Sequence, residues 1–108
     1  MRRHQQSIFD SYEMLTVAGG PIRVYAGGRD TRRPPILLLH GAMYDRADLC
    51  WLRVADQLAR GDDGVSERVI AVDLPRHGGS RPWQGELGPV RLEKMLIGLL
   101  DQLGIDRV

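Results

Sequence analysis

The sequence predicts an α/β fold in which parallel strands alternate with helices. Two short runs of consecutive apolar residues, Ile36–Leu39 and Val69–Val72, are typical of strands that are buried on both faces of a sheet. The segment between them has apolar residues at helical spacing, namely Trp51, Val54, Ala55 and Leu58. A strand, a helix and a second strand in this order form a βαβ unit, so the two strands should be parallel with a right-handed crossover.

A β-hairpin is predicted ahead of the first buried strand. Residues 12–17 are mixed apolar, and residues 22–26 alternate with period two, which is typical of a half-buried strand. The inward positions of that second segment are Ile22, Val24 and Ala26. The Gly19-Gly20-Pro21 sequence between the two segments supplies the turn. We expect this antiparallel hairpin to lie at the edge of the sheet.

Two amphipathic helices are predicted. The first begins near Asp45 or Asp48, either of which can cap it, and ends at Gly61. The second has an apolar face formed by Leu92, Met95, Leu96, Leu99 and Leu103. Gly104 is expected just after its end, and Gly98 is expected to permit close packing on the sheet. Residues 105–108 are expected to approach another strand.

Length and composition indicate a single domain of an ordinary globular protein. The chain has 108 residues, and we divide it into a loose polar segment, 1–11, and a partial α/β domain, 12–108. The formal net charge of +1 gives no support for nucleic acid as a partner. Cys50 is the only cysteine, which excludes an intrachain disulfide, and its apolar neighbours predict a small buried side chain.

No membrane segment, metal site or cofactor is expected. The basic N-terminus leads into no apolar signal segment, and no apolar run is long enough to span a bilayer, so we expect a cytoplasmic protein. No glycine fingerprint of a dinucleotide or nucleotide site follows either buried strand. A nucleotide-binding βαβ module is therefore poorly supported.

Two motifs follow the two buried strands, and together they resemble the N-terminal part of an α/β-hydrolase. The first is His40-Gly41-Ala42-Met43, directly after the strand at Ile36–Leu39. The second is Asp73-Leu74-Pro75-Arg76-His77-Gly78-Gly79-Ser80, which is similar to the family pattern D-L-P-G-H-G-x-S. Arg76 stands where that pattern usually has glycine. This indicates either a turn without a strict demand for positive φ or a local distortion.

The resemblance implies a role for each motif. The backbone N–H of Ala42 would help to bind the oxyanion of a tetrahedral intermediate, and Met43 would lie near the mouth of the substrate pocket. His40 and Gly41 are expected to form a tight turn with a hydrogen-bonded imidazole. The expected role of the second motif is structural, with bracing of the loop after the second buried strand by Asp73, His77, Gly78 and Ser80.

The catalytic residues of such an enzyme are expected outside this chain. Ser80 is not in a Gly-x-Ser-x-Gly nucleophile elbow, because the segment 78–82 lacks the last glycine. The resemblance places the nucleophile, the acid and the catalytic histidine further along a longer parent. That parent would cleave an ester, lactone, thioester or similar bond of a small molecule by serine acyl transfer. The chain as given is expected to be inactive.

The alternative is a non-catalytic remnant. The family's strand order, 1-2-4-3-5, implies that the strand at Ile36–Leu39 is left with one open edge. An open apolar edge favours self-association or pairing with another chain, and it predicts marginal stability. The position of Trp83 stays open between solvent exposure and a contact with a lid.

Overall fold

The computed structural model describes residues 7–41, 44–61 and 64–108, which form a four-stranded mixed sheet with a helix on each face. Its strands are β1 (Glu13–Val17), β2 (Gly20–Gly27), β3 (Ile36–Leu39) and β4 (Val69–Val72). They lie in the order β1-β2-β4-β3. β2 is antiparallel to both β1 and β4, whereas β3 and β4 are parallel. The predicted hairpin and βαβ unit are therefore confirmed.

Helix α1 (Ala47–Arg60) connects β3 to β4, and helix α2 (Pro89–Gln102) follows β4. α1 ends at Gly61 with φ of 76°, as predicted. At the end of α2, Gly104 has φ of 72° and the Ile105 N–H donates to the Leu100 carbonyl at 2.9 Å, which is a Schellman cap. Among the described residues, neither helix has the length and apolar character needed to cross a membrane.

The position of β4 between β2 and β3 explains why its sequence is apolar throughout. Its residues alternate between two cores, one on each side of the sheet, and all four are buried. The core beneath α2 includes Ile22, Val24, Ile70, Val72, Met95 and Leu99. The core beneath α1 includes Tyr25, Leu38, Ala47, Ala55, Val69 and Ala71.

The alternation predicted for β2 is wrong at Tyr25 and Ala26. Tyr25 is 4% exposed and packs against the edge of the Phe9 ring, with centroids 4.9 Å apart, whereas Ala26 is exposed. β2 has a neighbour on each side, and the α1 face at Tyr25 is covered by the N-terminal segment. The α1 face of β2 is thus covered at Tyr25, whereas the opposite face is left uncovered at Ala26, so the inside–outside pattern fails at both residues.

That N-terminal segment is ordered where the structure describes it. A 3₁₀ turn, Ile8–Asp10, is joined to α1 because the Ser7 hydroxyl and the Ile8 N–H both donate to Asp56 Oδ1, at 2.9 and 3.0 Å. Ile8 is 9% exposed. Residues 8–10 thus form a packed turn, residues 1–6 lie outside the described residues, and the division of the chain at residue 11 stays a prediction.

Three features of α1 differ from the expectations. Its N-cap is Arg46, which provides no side-chain cap, so neither Asp45 nor Asp48 has the predicted capping role. Cys50 is exposed and Val54 is 45% exposed. α1 contacts the sheet through a narrow face centred on small residues such as Ala55, so these two apolar positions fall outside it.

β3 lies at one edge of the described sheet, and its neighbour is β4, as expected. In the three described ranges, the only strand that pairs with β3 is β4. Leu39 at the end of β3 is 37% exposed although it belongs to an all-apolar strand. The strand order therefore agrees with the one implied by the resemblance.

Gly98 does not permit close packing, contrary to the expectation. A Cβ atom built on Gly98 meets no atom within 4 Å. Replacement of a mid-helix glycine by alanine reduces the entropy of the unfolded chain and costs nothing where there is space.

We therefore expect Gly98→Ala to raise the free energy of unfolding by about 1 kcal/mol in urea titrations. Gly27→Ala should instead lower the free energy of unfolding. Its Cβ would lie 2.3 Å from Ile8 Cγ2 and would displace the N-terminal segment. Destabilisation by Gly98→Ala would show that α2 packs more tightly than described.

Candidate functional site

The carboxyl ends of β3 and β4 bring the two sequence motifs together. Leu39 is paired with Val72 in the parallel ladder, so the next residues of the two strands, His40 and Asp73, lie at the same edge. Both are buried, His40 at 5% and Asp73 at 0% exposure. In open α/β sheets this edge is where ligands bind.

His40 links the turn after β3 to the loop after β4. Its Nε2 accepts a hydrogen bond from the Leu74 N–H at 2.9 Å. A backbone N–H can only donate, so Nε2 carries no proton, and Nδ1 donates to the Gly41 carbonyl. The His40 ring also meets the His77 ring edge-on, with centroids 4.8 Å apart. Both ring nitrogens of His40 are therefore engaged in holding the turn.

Asp73 holds the start of α1. Its Oδ1 accepts from the Ala47 N–H at 2.9 Å, and its Oδ2 accepts from the Gly79 N–H at 2.9 Å. Ala47 is the first residue of α1, whose N–H groups have no partner within the helix. A carboxylate from the neighbouring strand thus provides the cap that Arg46 does not, and its charge is favourable at the positive end of the helix dipole.

Ser80 is engaged in a fully buried hydrogen-bond bridge. Its hydroxyl accepts from the Arg23 N–H at 2.8 Å and donates to the Asp73 carbonyl at 2.5 Å. The serine thereby joins β2 to the loop after β4. With its proton committed to a carbonyl and 0% exposure, this hydroxyl lacks the neighbouring base and the access that a nucleophile requires.

The loop after β4 uses two residues in the left-handed region. Gly78 has φ of 49°, and a Cβ there would lie 2.3 Å from Asp73 Oδ2. Arg76 has φ of 70°, so the turn does demand a positive φ where the family pattern has glycine. The expectation of a relaxed demand is wrong. The Arg76 guanidinium donates to the Gly85 carbonyl at 2.7 Å, and the Arg76 carbonyl accepts from Arg81 Nε at 3.1 Å.

Trp83 covers the turn of the β1–β2 hairpin. A Cβ on Gly19 would lie 2.4 Å from its indole ring, so glycine is needed for this close approach. The Gln84 N–H donates to the Gly19 carbonyl at 2.8 Å and fixes the loop beside the hairpin. Trp83 is partly buried against the core beneath α2. The alternative of solvent exposure is therefore wrong, and the contact with a lid stays a prediction.

Asp45 supports the turn that the resemblance identifies with the oxyanion hole. Its carboxylate accepts from the Gly41 N–H at 3.0 Å and from the Arg46 N–H at 2.9 Å. Desolvation raises the pKa of Asp45, but these N–H groups and the Cys50 thiol outweigh it and lower the pKa below its usual value. Desolvation and the Asp45 charge raise the pKa of Cys50. Ala42 and Met43 lie outside the described residues, so their roles remain predictions.

Neither motif forms a metal centre in the described part of the chain. No three His, Cys, Asp or Glu side chains there are grouped closely enough to hold a metal ion. His77 Nδ1 and the Pro75 carbonyl are 2.9 Å apart, which ties the second imidazole to its own loop.

Comparisons of the whole fold identify its relatives. No family model matches the sequence, and no curated protein matches it. The structure is similar to an α/β-hydrolase fold protein from Burkholderia ambifaria, with 27% identity over 86% of this chain and a TM-score of 0.69. It is similar to the N-acyl homoserine lactonase AidH, with 30% identity over 88% and a TM-score of 0.59. The haloalkane dehalogenase DbeA from Bradyrhizobium elkani shares the fold, with 24% identity over 87% and a TM-score of 0.70.

The chain therefore has the fold of the N-terminal part of α/β-hydrolase fold proteins. It covers 31% of the Burkholderia protein, 33% of the lactonase and 30% of the dehalogenase. The partial sheet predicted from the sequence is confirmed by these matches.

We expect Asp73→Asn to lower the free energy of unfolding by about 2–3 kcal/mol, because an amide has one acceptor oxygen for two buried N–H groups and no charge for the helix dipole. Urea unfolding followed by tryptophan fluorescence measures the change. Asp106→Asn is the matched control on an exposed side chain and should change stability by less than about 0.5 kcal/mol. Equal effects of the two substitutions would contradict the assigned role.

The lowered pKa of Asp45 predicts in which direction the stability of the folded chain changes with pH. Folding favours the ionised form of Asp45, so its contribution to stability is present above the unfolded pKa of 3.8 and is lost as the pH falls through the lower folded pKa. The melting temperatures of the native chain and Asp45→Asn should therefore differ most near neutral pH and converge in acid. Glu86→Gln is the control on an exposed side chain, and its melting temperature should change with pH in the same way as that of the native chain.

Proposed function

We propose that this chain forms the oxyanion side of the active site of a hydrolase that cleaves an ester, lactone or similar bond of a small molecule by serine acyl transfer. The observation that supports this is the 2.9 Å hydrogen bond from the Leu74 N–H to His40 Nε2. It joins the two motifs and fixes the backbone just before Ala42 at the ligand-binding edge of the sheet.

A fixed backbone is what oxyanion stabilisation requires. A donor that is already in place loses no free energy to reorganisation when negative charge develops. Here the Gly41 N–H is held by Asp45 and its carbonyl is held by His40. In the proposal the next amide, that of Ala42, is left to bind the oxyanion, and Met43 contacts an apolar part of the substrate.

The bond class is supported by two observations. A mutant of the lactonase AidH, at 30% identity, has been solved in complex with N-hexanoyl homoserine. The turn His40-Gly41-Ala42-Met43 also lacks the proline that often follows in epoxide hydrolases, which disfavours that branch and its aspartate nucleophile. The similarity to the dehalogenase, at 24% identity, supports the fold and gives no support for a particular reaction.

In this proposal the nucleophile, the acid and the catalytic histidine belong to a longer polypeptide. The 108 residues contain no Gly-x-Ser-x-Gly sequence, and the second oxyanion donor would be the amide after the missing nucleophile. The coding DNA after codon 108 tests this. A continuous reading frame that encodes Gly-x-Ser-x-Gly within about a dozen codons would support the hydrolase, and its absence would contradict it.

We expect the 108-residue chain to hydrolyse p-nitrophenyl acetate no faster than the buffer background, because Ser80 is buried and hydrogen-bonded. Release of p-nitrophenolate, followed by absorbance, measures the rate. Ser80→Ala should be indistinguishable from the native chain. Turnover that is lost in Ser80→Ala would show that Ser80 is a nucleophile and would overturn its structural role.

A second candidate function is self-association through the free edge of β3. It is favoured by the apolar sequence of this strand and by the exposure of Leu39. An unpaired strand edge can add the edge of a second copy to a continuous sheet. Gel filtration with light scattering should then show a discrete dimer that Leu39→Lys converts to a monomer. A monomeric or heterogeneous native chain would contradict this candidate.

A further inference from the structure

A second cleft lies at the opposite end of the sheet from His40 and Asp73. It has a volume of about 160 Å³ and is formed by the loop at 30–35, by Arg68 just before β4 and by residues 104–107 after α2. β4 separates Arg68 from Asp73, and its four residues span about 13 Å. The cleft is therefore distinct from the candidate active site.

Arginines from three separate parts of the chain line this cleft. They are Arg32, Arg33, Arg68 and Arg107, and the acidic residues of the lining are Asp30 and Asp106. The lining has four positive and two negative charges, an excess of +2, and Glu67, which pairs with Arg33, reduces this excess to +1. Folding thus brings Arg32 and Arg33 into the lining of one cleft together with Arg68 and Arg107.

The existing ion pairs neutralise only part of this charge. Arg33 binds Glu67 at 2.7 Å, whereas Arg68 and Asp30 are 4.0 Å apart and the Asp30 side chain is 85% exposed. Within the residues that the structure describes, Arg32 and Arg107 form no ion pair. Two guanidinium groups therefore retain their hydrogen-bond donors, and a third has a loose partner.

A guanidinium group presents its N–H donors in a planar fork that matches two oxygens of a phosphate. The cleft volume is several times the roughly 30 Å³ that a water molecule occupies in the liquid, so a phosphate group has room. We propose that this cleft binds a phosphate group, with Arg32 and Arg107 as its main ligands and Arg68 as a third donor.

Titration of the ¹⁵N-labelled 108-residue chain with inorganic phosphate tests the proposal. Sodium chloride keeps the ionic strength constant, because screening alone shifts many surface signals. Saturable shifts should be confined to the amides of residues 30–33, 67–68 and 104–107. The double variant Arg32→Gln/Arg107→Gln should raise the dissociation constant by about tenfold or more.

Arg53→Gln/Arg91→Gln is the matched control, since it removes the same charge from exposed positions on α1 and α2. It should leave the dissociation constant within about twofold of the native value. Arg32→Lys preserves the charge but removes the fork, so it should weaken binding even if the double variant fails to fold. Shifts spread over the whole surface, or equal weakening by the two double variants, would overturn the proposal.

Discussion

The carboxylate of Asp73 is the constraint on which the rest of the structure depends. It is fully buried, and a buried charge is tolerated only where it is hydrogen-bonded. Its two oxygens accept the N–H groups of Ala47 and Gly79, so one side chain fixes the start of α1 and the loop after β4. Its backbone carbonyl accepts from Ser80, which extends the same network to β2.

This network determines the geometry of the candidate site. With the loop after β4 held by Asp73 and Ser80, the Leu74 N–H is directed at His40 and ties the turn after β3 to the same edge. The turn is then held from its other side by Asp45. The turn is therefore held in place by hydrogen bonds with Leu74 and Asp45, which lie outside it, and a fixed backbone is what oxyanion stabilisation would require.

Arg76 adopts a left-handed backbone conformation although its residue type disfavours it. The surrounding hydrogen-bond network therefore outweighs this local preference. A left-handed φ costs a non-glycine residue about 1–2 kcal/mol, yet the loop retains it with arginine in place of the pattern's glycine. In the same loop a Cβ on Gly78 would lie 2.3 Å from Asp73 Oδ2, and the Gly79 N–H donates to that oxygen. The guanidinium bond to the Gly85 carbonyl offsets part of the cost.

The sequence by itself determined β3, β4, both helices and their glycine ends, because periodicity, strand propensity and capping are local properties. It also predicted that β3 and β4 are parallel, which the pairing of the two strands confirms. Only the tertiary structure decided that Tyr25 is buried, that Cys50 is exposed and that Asp73 caps α1 from another strand. Only folding, likewise, gathered the four arginines of the second cleft. Each of these depends on contacts between residues far apart in the chain, and a local pattern carries no information about such contacts.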